Sequence, residues 1–278
     1  MEDVKPMEIG LVVWAEGTAK ETLKPVTDFG LRVIQLGVPP ALNCAIAVSD
    51  WKATLSTSPV IVTSAVCSYA GEDYSDLASV HESVGFTTER YRTERISRTK
   101  TVSKFASELG VHAVSCHIGF IPANRFEPLY GELVVLTQEL CDALAINHQN
   151  FVLETGQESA EVLLGFLADV GRANLKVNFD PANMILYGSG DPLKALTLLQ
   201  DYVLSVHCKD GRSPVTGSGM LGKECRLGDG EVDFLGFLQI LKKFNYSNAL
   251  TIEREESDYR KKMDDIQTAI SRLKQWTS

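Results

Sequence analysis

Leu175-Lys176-Val177-Asn178-Phe179-Asp180-Pro181-Ala182-Asn183 is the stretch that decides how this chain is read. A largely apolar, strand-forming run stops on a carboxylate, and a proline follows at once. The same pattern recurs at Phe151-Val152-Leu153-Glu154-Thr155-Gly156, at Val203-Leu204-Ser205-Val206-His207-Cys208-Lys209-Asp210 and at Ala249-Leu250-Thr251-Ile252-Glu253-Arg254-Glu255. Each run ends with one metal-type ligand. The intervals are 26 residues (154 to 180), 27 (180 to 207) and 46 (207 to 253). The first two match one strand plus one helix of an α/β barrel, and the third leaves room for a long loop.

Four further apolar runs, Ile9 to Trp14, Arg32 to Leu36, Pro59 to Ala65 and Ala113 to His117, bring the count to eight. Several are apolar at nearly every position, as parallel strands covered on both faces must be. Helix signals lie between them. Ser159 caps a run with apolar positions Val162, Leu163, Phe166, Leu167 and Val170 and a stop at Gly171; Asp191-Pro192 opens Leu193 to Gln200. Amphipathic segments cover Glu89 to Leu109, Leu133 to Leu144, Phe234 to Phe244 and Tyr259 to Trp276. Eight alternations of strand and helix imply a parallel sheet closed on itself, an α/β fold with a single (β/α)8 TIM barrel over residues 1–278. The glycine-rich stretch Gly211 to Gly230 is expected to be an irregular, substrate-covering loop.

The 278 residues fit one such barrel, and a 44% apolar content supplies its core. A formal charge of −9 and a pI near 5.1 argue against nucleic acid or an anionic membrane as partner. Glu89-Arg90-Tyr91-Arg92-Thr93-Glu94-Arg95 alternates in sign and reads as a solvated helix face. Met1-Glu2-Asp3-Val4-Lys5 lacks the pattern of a secretory signal, so a cytoplasmic protein is expected. Six cysteines without CxxC spacing read as buried free thiols. No GxGxxG or GxxxxGK[ST] implies a nucleotide.

Active sites of this barrel sit at the C-terminal ends of the strands, so Glu154, Asp180, His207 and Glu253 should converge over one mouth. Carboxylates there cannot be buried unpaired. Four separate ion pairs with rim Arg or Lys would answer that problem, and one shared cation answers it more simply. Oxygen-dominated ligation with one imidazole favours Mn²⁺, with Mg²⁺, Co²⁺ or Zn²⁺ also suited.

His117-Ile118-Gly119, Glu154-Thr155-Gly156-Gln157-Glu158, Asn178 to Asn183, His207-Cys208-Lys209-Asp210, Gly228-Asp229-Gly230-Glu231-Val232-Asp233 and Ile252-Glu253-Arg254-Glu255 occur in order from the fourth strand to the eighth. Together they resemble the xylose-isomerase-like barrel superfamily of sugar phosphate isomerases and epimerases. It also takes in ketose 3-epimerases, hydroxypyruvate isomerase, inosose-processing enzymes and endonuclease IV. The resemblance implies that Glu154, Asp180, His207 and Glu253 ligate the metal. It also implies that Glu154 and Glu253 face each other across a bound sugar as an acid/base pair, isomerising or epimerising a keto-sugar or cyclitol through an enediolate.

His117, Glu158, Asn183, Lys209, Arg212 and Trp14 are the candidates for holding substrate. His117 is either substrate-proximal or a rim histidine. Glu158 and Asn183 follow two ligands by four and three residues, where relatives hold sugar hydroxyls. Lys209 and Asp210 position substrate or brace the loop, Trp14 stacks on a sugar face or closes the core, and Glu224 and Arg226 lie in the covering loop. The family's epimerases carry histidine where this chain has Asn183, and an arginine where it has Ser213 with Arg212 beside it. Rival readings are a metal-dependent lyase or dehydratase on a keto-sugar or inosose, a nuclease of the endonuclease IV type, and a non-catalytic sugar-binding barrel. His81, His112 and His148 stand apart from every motif, which disfavours the histidine-rich nuclease centre. A homo-oligomer accords with the family.

Overall fold

The computed structural model describes residues 7–278, so the Met1–Lys5 segment lies outside the described residues. Eight parallel strands close a barrel: β1 (Ile9–Trp14), β2 (Val33–Val38), β3 (Ile61–Cys67), β4 (Ala113–Cys116), β5 (Asn150–Glu154), β6 (Leu175–Phe179), β7 (Val203–Cys208) and β10 (Leu250–Ile252). The order around the barrel is β1-β10-β7-β6-β5-β4-β3-β2. The pairing Ile9↔Leu250 closes the ring. Outside it lie α1 (Ala19–Asp28), α2 (Cys44–Ser56), α3 (Leu77–Ser83), α4 (Glu89–Glu108), α5 (Pro128–Ala145), α6 (Ala160–Val170), α7 (Pro181–Tyr187), α8 (Pro192–Leu199), α9 (Phe234–Lys243) and α10 (Tyr259–Thr277).

The eight strands are those the apolar runs imply, and the capping signals act where expected. Ser159 Oγ accepts from Val162 N, and Gly171 ends α6 in the left-handed region with φ 59°. Asp191 caps α8 through Leu193 N and Lys194 N, with Pro192 in the first turn. The core lies between barrel and helices, where Trp51, Phe86, Phe151, Phe166, Phe179 and Phe237 are fully buried. Burying one such aromatic contributes about 2–3 kcal/mol. The barrel interior is unusually polar: Gln35, Ser64, Ser115, Asn178 and Thr251 are all buried.

Two expectations are corrected. Gly211 to Gly230 is not wholly irregular: β8 (Asp210–Arg212) and β9 (Lys223–Cys225) form an antiparallel hairpin. And the charged start of α4 is not a solvated face throughout. Arg95 is 2% exposed, stacks on the rings of Tyr91 and Tyr69 and donates to the carbonyls of Gly85 and Ala70. A guanidinium satisfies several loop carbonyls at once, which sequence alternation cannot reveal. The six cysteines are free, five of them buried. No helix among the described residues is long and apolar enough to cross a membrane.

Candidate metal centre and its cavity

Asp180 shows how the local sequence builds the site. It ends the run of β6 and starts α7, with Pro181 in the first turn. Its Oδ1 accepts from Ala182 N at 2.8 Å and Asn183 N at 3.0 Å, so capping the helix fixes the carboxylate rotamer. That leaves Oδ2 aimed inward, 3.4 Å from His207 Nδ1. His207 Nδ1 also lies 3.4 Å from Glu154 Oε1 and 3.2 Å from Glu253 Oε2. One ligand atom from each of Glu154, Asp180, His207 and Glu253 falls within 4.8 Å of all the others.

The chemistry of this set fits a divalent cation. Asp180 Oδ2 and His207 Nδ1 are buried without a hydrogen-bond partner among the described residues, an arrangement costly to leave unsatisfied. Burial opposes charge on His207, yet Glu253 and Glu154 outweigh it and hold the imidazole well above its ordinary value. The field that retains a proton there would equally attract a metal ion. Burial pushes Asp180 up. It pushes Glu154 up too, but His117 and His207 bring that group below its ordinary value. Glu253, against the same burial, is held well below by Lys209 and His207.

Above the cluster is a cavity of about 580 Å³, lined among others by Trp14, Tyr74, His117, Glu154, Asn183, Tyr187, Lys209 and Glu253. Asn183 Nδ2 donates to Glu154 Oε1 at 3.0 Å. Lys209, 3% exposed at its side chain, donates to Glu253 Oε2 at 3.1 Å and Glu255 Oε1 at 2.9 Å. Burial alone would discharge it, but Glu253 and Glu255 keep the ammonium well above its ordinary value. His117 Nε2 lies 3.7 Å from Glu154 Oε1, and its Nδ1 is 3.3 Å from Gln157 Nε2. Trp14 lies flat against β2; a Cβ on Gly37 would come within 2.4 Å of the indole.

Other expected residues fall elsewhere. Arg212 is exposed, outside the cavity lining, and donates to the Asp229 carbonyl at 2.9 Å. Glu158 is buried but does not line the cavity. Its Oε2 has no partner among the described residues, and burial pushes its carboxyl up to about 8. Asp210 braces the covering loop: Oδ1 accepts from Gly211 N and Val232 N, Oδ2 from Gly228 N and Gly230 N. Gly230 approaches so closely that a Cβ would lie 2.1 Å from Asp210 Oδ1, which explains the Gly228-Asp229-Gly230 motif. Glu224 lines the cavity and pairs with Arg254, whereas Arg226 turns away to Asp265. Glu72, Tyr74, Tyr187 and Glu255 also line the cavity and were missed. Only Glu255 carried a sequence signal, its place in the Ile252–Glu255 motif.

Residues 23–276 match the family model described as xylose isomerase-like TIM barrel. A solved xylose isomerase domain protein from Planctomyces limnophilus is 36% identical, with a TM-score of 0.92 over 98% of this chain and 97% of that one. A D-allulose 3-epimerase from Methylomonas sp. shares the fold at 19% identity, with a TM-score of 0.72 over 98% of each chain. An uncharacterised protein of Methanocaldococcus jannaschii is 26% identical over 184 residues, 60% of this chain and 59% of that protein's length, so the match spans well under two thirds of this relative. With the matched model covering nearly the whole barrel, the chain belongs to the xylose isomerase-like TIM barrel family.

Proposed function

We propose that the protein is a divalent-metal-dependent isomerase or epimerase of a small, uncharged keto-sugar or cyclitol, with Glu154 and Glu253 as its acid–base pair. One observation carries this reading. Of the four clustered donors, the two glutamates line the cavity, while Asp180 and His207 are closed off behind them. A substrate would therefore meet two carboxylates and no other member of the cluster.

Glu154, Asp180, His207 and Glu253 would hold the ion, Mn²⁺ by preference. When bound it would supply a Lewis acid that stabilises negative charge developing at a ligand carbonyl. One glutamate, ionised, takes the proton from the carbon beside the ketone, and the other, entering the cycle protonated, delivers its proton to the opposite face; this inverts that centre and leaves the pair with its protonation states exchanged. Transfer through a single carboxylate to the neighbouring carbon would isomerise instead. Both carboxyls are held below their ordinary value, Glu253 further than Glu154, so Glu154 is the one that takes up a proton more readily. Asn183 fixes the rotation of Glu154, and Lys209 that of Glu253. Trp14, Tyr74 and Tyr187 offer apolar faces to sugar C–H groups, and Met220, Leu221 and Gly222 of the hairpin loop cover the mouth and limit water.

The acidic lining favours an uncharged substrate. Glu72, Glu224 and Glu255 join the two catalytic candidates, and the one lysine of the lining is committed to Glu253 and Glu255. Among the described residues lining the cavity, no Lys or Arg is free to receive a phosphate ester.

β-Elimination from a keto-sugar or inosose is the second reading, supported by Lys209, whose buried ammonium beside Glu253 would protonate a departing hydroxyl. Incubation with Mn²⁺ and a panel of ketoses and keto-glycosides in D₂O tests both. Deuterium entering an unchanged carbon skeleton supports isomerisation, and loss of water or an aglycone supports elimination. Glu154→Gln and Glu253→Gln should each lower exchange about 10²–10⁴-fold with thermal unfolding preserved. Undiminished exchange in either variant contradicts the assignment.

A further inference from the structure

Gln35 is fully buried at the middle of β2, on the inside of the barrel, where branched apolar side chains usually fill the space. Ser115, Asn178 and Thr251, from β4, β6 and β10, are polar and buried as well. Gln35 Oε1 stands 3.0 Å from His207 Nε2, within reach of a proton on that nitrogen. Gln35 Nε2 donates to Asn178 Oδ1 at 3.3 Å, and Ser205 Oγ donates to the same oxygen at 2.5 Å. Asn178 Nδ2 lies 3.0 Å from His207 Nε2 on another side. Ser205 in turn lines a second cavity of about 460 Å³ at the N-terminal end of the barrel, together with Ser64 and Thr251.

Burying two amides is no route to stability, because apolar side chains of similar volume would fill the same space without desolvating polar atoms. Their effect is on the imidazole. A histidine that ligates through Nδ1 keeps its proton on Nε2, and an acceptor at Nε2 fixes both the tautomer and the ring orientation. Gln35 Oε1 is that acceptor; the other atom beside Nε2, Asn178 Nδ2, is itself a donor and cannot receive the Nε2 proton. The Gln35 amide is held the right way round because its NH₂ group must face Asn178 Oδ1, an oxygen already engaged by Ser205. Neither Gln35 nor Ser205 lines the catalytic cavity.

We propose that Gln35 is a positioning residue of the metal centre, holding His207 ready to ligate through Nδ1 by a hydrogen-bonded chain that runs from Ser205, two residues before His207 on β7, through Asn178 of β6. This rests on the metal-binding part of the function proposed above. The test measures binding of Mn²⁺ alone, by competition with a fluorescent chelator, in chelator-stripped full-length protein without sugar. Gln35→Met fills the space without an acceptor and should weaken Mn²⁺ binding about 10–100-fold, with the metal-free melting temperature unchanged or raised. Gln35→Glu restores an acceptor and should retain the parent affinity or better. Ser205→Ala, at a residue that neither belongs to the four donors nor lines the catalytic cavity, should weaken binding by a smaller factor. In ¹⁵N-histidine spectra of the Zn²⁺-loaded parent, the His207 proton should reside on Nε2.

Equal Mn²⁺ affinity in parent and Q35M overturns the inference and leaves the metal centre standing. A parent that takes up no Mn²⁺ overturns the centre and the inference together. Should Q35M fail to fold, unchanged affinity in S205A, or a Zn²⁺-loaded His207 protonated on Nδ1, is the contradicting result.

Discussion

Asp180 serves two structures with two oxygens: Oδ1 caps α7 while Oδ2 faces the cluster. Its place in the cluster was legible because a lone carboxylate ending an apolar run demands a partner. The cap was not, since Pro181 to Tyr187 is short and its apolar content reads equally as strand or helix. Glu158 makes the sharper test at this scale. Burial lifts its carboxyl to about 8, above the unfolded value, so it remains protonated in the folded chain while the unfolded chain ionises. Its contribution to stability is therefore fully present below about pH 4.5 and lost as pH rises to about 8. Glu158→Gln removes that dependence. Paired melting curves should show the variant gaining on the parent between pH 5 and 8, by about 1–3 kcal/mol at the upper end. A constant difference across that range contradicts a buried neutral acid.

Among the elements, the β8–β9 hairpin departs most from the sequence reading. Its composition signals a loop, and only its closure against the barrel pairs the strands: Gly222 N donates to Leu186 O at 2.8 Å, and Arg254 joins Glu224 to Asp265. Asp210 holds the base of this element through four backbone N–H groups. Asp210→Ala should cost roughly 3 kcal/mol and accelerate amide exchange at Gly228, Gly230 and Val232, leaving the barrel strands protected. Uniform acceleration across all strands would mean that Asp210 supports the whole fold and not this element. The segment from Ser68 to Thr88, which contributes Glu72 and Tyr74, was opaque for a related reason. Its path is set by Arg92 and Arg95 reaching back from α4 to the carbonyls of Ala70, Gly85, Phe86 and Thr87, contacts that have no local periodicity.

At the scale of the whole molecule, all eight barrel strands were readable because parallel strands buried on both faces leave unbroken apolar runs. The polar exceptions within those runs were the overlooked signal. Gln35 interrupts Val33–Val38, and Asn178 and Ser205 interrupt their strands, at the level where the barrel supports His207. The barrel gathers charge that no single element could hold, and a bound cation should therefore stabilise the fold as a whole. Mn²⁺ at about 100 times its dissociation constant adds about 2.7 kcal/mol, which for a chain of this length raises the melting temperature by about 5 °C. Chelation should reverse the rise, and His207→Ala should abolish it. A Mn²⁺-dependent rise that persists in His207→Ala would place the stabilising ion elsewhere.

The most direct measurement is anomalous diffraction from crystals of the Mn²⁺-loaded protein. A single strong peak per chain is expected between Glu154, Asp180, His207 and Glu253, about 2.2 Å from one atom of each. A peak at another position, or none at the four residues under saturating Mn²⁺, would contradict the shared metal centre.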